Sequence, residues 1–373
     1  MSGAIRTAVV GCGSISDIYL NNLKNKYSSV ELVSCCALHI EHAKEKAKKY
    51  GIAAATYDDI LKDKTIQMIV ILTPAPTHYE LIRQALCAGK HVFTEKPITM
   101  NLEEVRELAD LANSKHLYLG AAPDTFLGSR FQTAYRAIQN GMIGKVTSFA
   151  ISGNRDLDLF ASVYRYMREP GGGICFDYGV YYLTALVSLL GPVEKVMGFA
   201  GNKNKERVDI FPESPDYGKT FRFENESYVS AVLQMKSGVT GTFCMNGDSN
   251  MEDLGVFIIY GTNGILKLGN ADLYGDNVVY IPNDHNVETW GQDKSKILKN
   301  VSDFSDNCRG IGPAEMAWAI MKGKRSRVDK SLSLHVLDIV LQIMKSSETG
   351  KCEKVESICE KPEVLDNWNE FVI

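Results

Sequence analysis

Three residues have the types and settings for acid–base work on a hydroxyl group. Lys96 sits in Glu95-Lys96-Pro97, directly after the apolar run His91 to Thr94, while Asp177 and Tyr181 follow Gly171-Gly172-Gly173. Oxidising an alcohol needs a base for the hydroxyl proton while hydride leaves the carbon. An unperturbed phenol has a pKa of about 10, too high to serve near neutrality. A neighbouring ammonium favours phenolate and brings it towards useful range. Tyr181 is therefore the candidate acid/base, and Lys96 the cation that lowers its pKa and holds the substrate oxygen. Asp177 is the group that orients Lys96 or a substrate hydroxyl. A spacing of four puts Asp177 and Tyr181 on one face if the segment is helical. The three glycines give a flexible or close-packed approach to a pocket.

A second constellation lies upstream. Ala8-Val9-Val10-Gly11-Cys12-Gly13-Ser14-Ile15-Ser16 reads as an apolar strand running into a glycine turn and a helix. Gly11 and Gly13 suit the tight turn and close backbone approach that a dinucleotide pyrophosphate needs at a helix N-terminus. The third fingerprint position is Ser16 rather than glycine, so the helix is expected to stand slightly further from the strand. Gly11, Cys12, Gly13, Ser14 and Ile15 are the expected phosphate-side contacts. The next strand ends Cys35-Cys36-Ala37-Leu38-His39, without the acid that would bind a ribose 2′-hydroxyl and repel a 2′-phosphate. NADP is thereby permitted, although no arginine stands there and only His39 and Lys44 are nearby. Leu38 and His39 are the expected ribose-side contacts, and the choice leans to NADP within NAD(P).

The elements that must position these groups come in two grammars. Over residues 1–123, Ile5 to Val10, Val30 to Cys36, Met68 to Leu72, His91 to Thr94 and Leu117 to Ala121 are short apolar runs. Helical stretches lie between them at Ile40 to Tyr50, Thr77 to Ala88 and Asn101 to Ser114. Thr77 with Glu80, and Asn101 with Glu104, read as capping boxes. Strands alternating with helices predict right-handed crossovers and a parallel sheet covered on both faces.

Over 124–373 a helix from about Gly128 to Asn140 leads to the strand Val146 to Ser152. Further strands are Tyr228 to Met235, Thr240 to Met245, Val256 to Tyr260 and Ile265 to Leu268. Turns at Lys236-Ser237-Gly238 and Gly261-Thr262-Asn263-Gly264 look like hairpins. Gly171 to Leu190, Ala314 to Lys322 and Leu332 to Ser347 read as helix, and residues 202–226 and 282–306 as long loops. The expectation is an N-terminal Rossmann domain followed by an α/β substrate and oligomerisation domain with an open, mostly antiparallel sheet.

Bulk composition narrows the function classes. The chain has 373 residues, long for one core, and its 45% hydrophobic and 23% charged content is that of a globular enzyme. A net charge of −4 offers no basic field for nucleic acid or a membrane surface. The apolar runs are far too short to span a bilayer, and no secretory leader is read at the start, so a cytoplasmic location is expected. The nine cysteines show no zinc spacing, so no metal is expected and the thiols are read as reduced.

Taken together, Gly11-Cys12-Gly13, Thr73-Pro74 with His78, Glu95-Lys96-Pro97 and Gly171-Gly172-Gly173…Asp177-x-Gly179-x-Tyr181 resemble the glucose–fructose oxidoreductase / inositol dehydrogenase / MocA family. Arg309-Gly310 and Glu315-Met316-Ala317-Trp318 extend the resemblance over nearly the whole length. It implies a nicotinamide cofactor, with Thr73, Pro74, His78, Glu95 and Lys96 completing its site. It also implies a carbohydrate-like, polyol or cyclic alcohol substrate and homodimers or homotetramers built through the second sheet. Many members carry histidine where this chain has Tyr181, and aspartate at Thr184. The tyrosine resembles the glucose–fructose oxidoreductase and dihydrodiol dehydrogenase branches and puts an inositol-dehydrogenase assignment in doubt. Two other readings stay open: a glycosidase that uses held NAD transiently, and a non-catalytic dinucleotide-binding regulator.

Overall fold

A computed structural model describes residues 3–250 and 255–373. The chain divides into two compact units, one made of Met1–Leu127, Asn307–Leu334 and Leu365–Ile373, the other of Gly128–Asp306 and His335–Val364.

In the first unit, strands β1 (Ile5–Val10), β2 (Val30–Cys36), β3 (Ala53–Ala54), β4 (Met68–Ile71), β5 (His91–Thr94) and β6 (Leu119–Ala121) pair in the order β3-β2-β1-β4-β5-β6. Every pairing is parallel. Helices α1 (Ser16–Asn25), α2 (Ile40–Tyr50), α3 (Tyr57–Lys62), α4 (His78–Cys87) and α5 (Leu102–Ser114) make the connections. Near-continuous apolar strands are what such burial demands, and all four residues of β4 are buried. The strand order reverses between β1 and β4, which opens a crevice at the strands' carboxyl ends.

Later segments complete this unit. Asn22 donates to the carbonyls of Asn307 and Arg309, each at 2.9 Å, and the Asp124 carboxylate accepts the amides of Gly310 (3.2 Å) and Gly312 (2.9 Å). Helix α9 (Ile311–Lys322) follows, and Asp329 pairs with Gly120 beside β6. The return of 307–334 and 365–373 is something that a single division at residue 123 does not provide.

The second unit holds α6 (Ser129–Gln139), β7 (Val146–Asn154), α7 (Leu157–Val163), α8 (Val180–Leu190) and β8 (Val193–Gly201). A small antiparallel ribbon, β9 (Glu206–Val208) with β10 (Thr220–Arg222), occupies part of the expected loop 202–226. After it come β11 (Tyr228–Met235), β12 (Thr240–Asn246), β13 (Val256–Gly261), β14 (Gly264–Lys267), β15 (Val278–Pro282) and β16 (Lys296–Leu298). Helix α10 (Lys330–Thr349) begins in the first unit and continues here to β17 (Glu353–Lys354). Among the described residues the large sheet has the order β16-β15-β14-β13-β7-β12-β11-β8-β17. All its pairs are antiparallel except β7 with β12, so the sheet is mixed. Alternate residues of β7, β11 and β12 are buried, and Phe149, Phe243 and Phe257 form the core with α8, which is buried over nearly its whole length.

Several local expectations need correction. Thr77 does not cap α4; its hydroxyl turns back to Thr73 Oγ1 and the Pro74 carbonyl, both at 2.8 Å. Asn101 does cap α5 through Glu103 N at 2.7 Å, but its own amide goes to Thr99 Oγ1 (3.2 Å) and not to Glu104. The strand β8 was not legible, because Val193-Glu194-Lys195-Val196-Met197-Gly198 mixes charge and glycine into an exposed face. No helix of the described residues is long and apolar enough to cross a membrane.

Candidate active site

In the first unit, four loops at strand carboxyl ends carry the expected dinucleotide contacts other than His78, which begins α4. Gly11–Ile15 follows β1, Leu38 and His39 follow β2, Thr73 and Pro74 follow β4, and Glu95 and Lys96 follow β5. The ladder runs straight into these loops: Gly11 N donates to Cys36 O (2.8 Å), Leu72 N to Val10 O (2.7 Å) and Glu95 N to Ile71 O (2.8 Å). Gly11 has φ +106°, and a Cβ there would lie 2.8 Å from the Leu72 carbonyl carbon, so only glycine fits. A Cβ on Gly13 would meet no heavy atom within 4 Å. The first turn of α1 has no side-chain cap at Ile15. Open space against an uncapped helix N-terminus is what a pyrophosphate requires, so the residues present fit the dinucleotide. Ser16 is buried and donates to Gly13 O at 2.7 Å, tying the third fingerprint position into the turn. At the second strand's end Leu38 is 95% exposed, while Glu41 is held by Lys44 at 2.9 Å.

Two buried side chains brace these loops. His78, expected as a cofactor contact, is fully buried between the Pro97 carbonyl (Nδ1, 2.8 Å) and the Thr73 carbonyl (Nε2, 2.7 Å). Burial pushes its pKa below the usual 6.5, while the two carbonyls favour the charged ring. It acts on the site through the loops bearing Thr73 and Lys96. The second brace was not anticipated: Tyr19 on α1 donates to Glu95 Oε1 at 2.7 Å, and Glu95 Oε2 accepts the Lys96 amide at 3.1 Å. Burial, then the charge on Glu95, raises the Tyr19 phenol's pKa well above 10, so it stays a donor. In sequence Tyr19 is one more apolar-face residue of a helix, with nothing to mark its hydroxyl.

In the second unit, the glycine run is explained position by position. Gly171 has φ +94°, a Cβ on Gly172 would fall 2.0 Å from Met167 O, and one on Gly173 would fall 2.0 Å from Glu226 Oε2. Glu226 Oε1 accepts the amides of Cys175 (2.8 Å) and Phe176 (3.3 Å), and its own carbonyl accepts Ile174 N at 3.0 Å. This anchors a π-helical turn over Cys175–Gly179 that runs into α8. Such wide turns recur at functional sites because they displace side chains from α-helical register. Asp177 lies within that turn, its amide on Gly173 O at 2.8 Å; Tyr181, 9% exposed, lies in the first turn of α8. The flanking tyrosines are tied down: Tyr178 and Tyr182 hydroxyls meet at 2.8 Å and share Asn270 Oδ1 at 3.1 and 3.5 Å. Fully buried Arg130 in turn holds the carbonyls of Asn270 and Gly275. Glu226, Asn270 and Arg130 carried no motif in the sequence.

Several further polar residues of the second unit have structural partners. Asp156 caps α7 through Leu159 N at 3.0 Å, Asp158 pairs with Arg207 at 2.6 Å, and Arg168 pairs with Asp209 at 2.7 Å. Arg155 pairs with Asp272 at 3.4 Å and stacks 3.6 Å over the Tyr178 ring. Lys96 belongs to the first unit, and Asp177 and Tyr181 to the second.

A parallel sheet with a glycine turn at its reversal point, joined to a mixed-sheet unit, defines the class of two-part dinucleotide-binding proteins. Residues 5–122 match the family model for the oxidoreductase family with an NAD-binding Rossmann fold, and residues 131–267 match the GFO/IDH/MocA C-terminal domain. The chain belongs to the Gfo/Idh/MocA family. An uncharacterised oxidoreductase of Schizosaccharomyces pombe is 32% identical over 199 residues, 52% of this chain and 53% of that protein. The match thus spans about half the length of that relative. The trans-1,2-dihydrobenzene-1,2-diol dehydrogenase of Mus musculus is 27% identical over 272 residues, covering 71% of this chain and 74% of the other. Among solved structures, levoglucosan dehydrogenase in complex with NADH superposes with a TM-score of 0.81 at 17% identity, over 95% of this chain and all of that one. That likeness is one of fold.

Proposed function

We propose that the protein is an NAD(P)-dependent oxidoreductase that moves hydride between nicotinamide and the CH–OH carbon of a sugar, polyol or cyclic alcohol, or the matching carbonyl. The observation that carries this reading is the bracing of Glu95-Lys96 by Tyr19 at the end of β5, beside a glycine turn that fits a pyrophosphate. A surface lysine needs no such support. Gly11, Cys12, Gly13, Ser14 and Ile15 hold the pyrophosphate, Leu38 and His39 the ribose, and Thr73, Pro74, Glu95 and Lys96 the nicotinamide half. The nicotinamide ring, when bound, supplies the hydride acceptor or donor. Tyr181 Oη takes the hydroxyl proton, Lys96 Nζ holds the substrate oxygen and favours the phenolate, and Asp177 orients the lysine or a second hydroxyl. The carbonyl direction runs the same proton back. The absence of a carboxylate after β2, with exposed Leu38 and with His39 in its place, supports NADP over NAD.

The trans-diol substrate in the mouse relative's name makes cyclic diols a natural first panel beside sugars and inositols. A homo-oligomer is the companion reading. Met197, Phe199 and Val232, at 50%, 68% and 53% exposure, lie on one face of β8 and β11, with Met197 paired to Val232. The test is fluorescence titration with NADH and NADPH, then absorbance at about 340 nm, the ordinary nicotinamide band, across the substrate panel. Lys96→Met should abolish turnover by about a thousandfold while cofactor affinity stays within about threefold. Undiminished turnover in that variant overturns the mechanism. Cofactor binding with silence across the panel shifts weight to the regulator or the glycosidase.

A further inference from the structure

The turn proposed to hold the pyrophosphate carries a thiol that none of the chemistry above uses. Gly11 N bonds the Cys36 carbonyl at 2.8 Å, which brings Cys12 against the end of β2; its Sγ lies 3.4 Å from that same carbonyl. Cys35, paired in register with Val9, is fully buried; its thiol reaches Ala43 O at 3.4 Å and also meets the Cys12 thiol. Cys12 itself is only half-buried. One thiol thus sits in the turn with access to solvent, and a second lies behind it within contact. That is the arrangement of an oxidisable cysteine with a resolving partner.

We infer that Cys12 and Cys35 form a peroxide-sensitive thiol pair, and that their oxidation closes the dinucleotide turn. The inference rests on the reading of Gly11–Ile15 as the pyrophosphate turn. The groups around Cys12 agree with reactivity. The Cys35 thiol and the Lys46 ammonium lower its pKa from the usual 9.0, with burial and Asp17 opposing. Lys46 is itself held by Asp17 at 2.7 Å, so its charge is fixed in place. Cys35, by contrast, is pushed well up, chiefly by its bond to Cys12 and by burial, so it serves as the resolving thiol.

The steps balance with a hydroperoxide as oxidant. The Cys12 thiolate attacks one peroxide oxygen; the S–O bond forms, the O–O bond breaks, and the departing hydroxide leaves as water after taking a proton. Cys35 Sγ then attacks the sulfenic sulfur, the S–S bond forms, the S–O bond breaks, and a second water carries off the Cys35 proton. Two thiols lose two electrons and two protons, and one peroxide becomes two waters. The disulfide draws Cys12 towards β2. Gly11 gives no slack, since its conformation is fixed against Leu72, so the amides of the turn leave the positions that a pyrophosphate needs.

The test treats the full-length protein with hydrogen peroxide, with and without saturating NADPH, then maps disulfides by peptide mass and titrates NADPH. The expected result is a Cys12–Cys35 linkage, a Kd for NADPH raised at least about tenfold, recovery with dithiothreitol, and protection by bound NADPH. Cys35→Ser should bind NADPH as the reduced wild type does, form no linkage, and keep its affinity within about twofold after the same treatment. Cys12→Ser, compared with its own untreated sample, should show no change in affinity on oxidation. No mapped linkage, or a linkage with affinity unchanged within about twofold, overturns the inference. Failure of the reduced protein to bind either dinucleotide overturns the turn assignment itself. Failure of the thiol pair alone leaves binding by the reduced protein intact.

Discussion

The two candidate half-sites are built in opposite ways. In the first unit the proposed contact surface is main chain: glycine conformation, ladder ends and a helix N-terminus, braced from behind by Tyr19 and His78. In the second unit it is side chain: Asp177 on a π-turn anchored by Glu226 and Tyr181 in the helix that follows, with neighbours locked through Asn270 and Arg130. A main-chain site serves a constant ligand, since amides and glycines cannot be exchanged piecemeal. A side-chain site can change its substrate one residue at a time on the same backbone.

If that contrast holds, equal substitutions in the two glycine runs should fail differently. Gly11→Ala forces a positive φ on alanine and a contact with Leu72 main chain, which cannot yield. Its Kd for NADPH should rise at least about a hundredfold, about 3 kcal/mol, as read by fluorescence titration. Gly173→Ala strikes a carboxylate rather than backbone; it should lower turnover and stability while dinucleotide affinity stays within about threefold. Equal loss of dinucleotide affinity in both variants would erase the distinction.

Glu226 gives the second unit a pH signature of its own. Its carboxyl is pushed up to about 7, first by burial and further by Asp177, against the amides that favour its ionised form. A carboxyl whose folded value lies above the usual 4.5 adds stability that is complete below that value and is lost as pH rises through 7. The residue keeps some access to water, so its own contribution to stability should fall by about 2 kcal/mol between about pH 5 and about pH 8. The wild type and Glu226→Gln, compared by urea unfolding across that range, should differ by that amount; parallel pH profiles remove Glu226 as its source.

A smaller effect is expected from Tyr19→Phe. Losing one hydrogen bond to a carboxylate costs about 1.5 kcal/mol, so kcat should fall about tenfold with dinucleotide Kd nearly unchanged. A change confined to Kd would mean that Tyr19 supports the turn and not the lysine. The smallest difference separates two helix starts. Asn101→Ala should cost about 1 kcal/mol in thermal unfolding, whereas Thr77→Ala, which removes no cap, should stay within about 0.5 kcal/mol.

The same contrast explains what could be read from residues alone. β1, β2 and β5 begin and end where the runs read from the sequence do; β1 and β5 are largely buried, and β2 is buried over its carboxyl-terminal half. The glycine turn was equally plain, since Gly11 is forced by its own backbone. β8 was hidden because half of it faces solvent, and the parallel pairing of β7 with β12 because register between distant strands leaves no local trace. Thr77 and Glu80 have the spacing of a capping box, but a nearby hydroxyl, Thr73 Oγ1, outcompetes the helix for Thr77. Glu226 and Asn270 lie about fifty and ninety residues from the segment they organise, and no pattern in Gly171 to Tyr181 announces them.

The composition of the first unit bears on how it is made. Strand β1 precedes the second unit in the chain, yet within the unit of β1 the Ser28 amide bonds to Phe371 O (2.9 Å), the Ile373 amide to Lys26 O (3.0 Å), and Trp318 to Glu370 (3.0 Å). The first unit is therefore completed by 307–334 and 365–373, segments made after 128–306. A chain cut after residue 306 yields that unit without α9 and without the partners of Asn22 and Asp124. The unit that holds β1 is in this sense finished only after most of the other has been made.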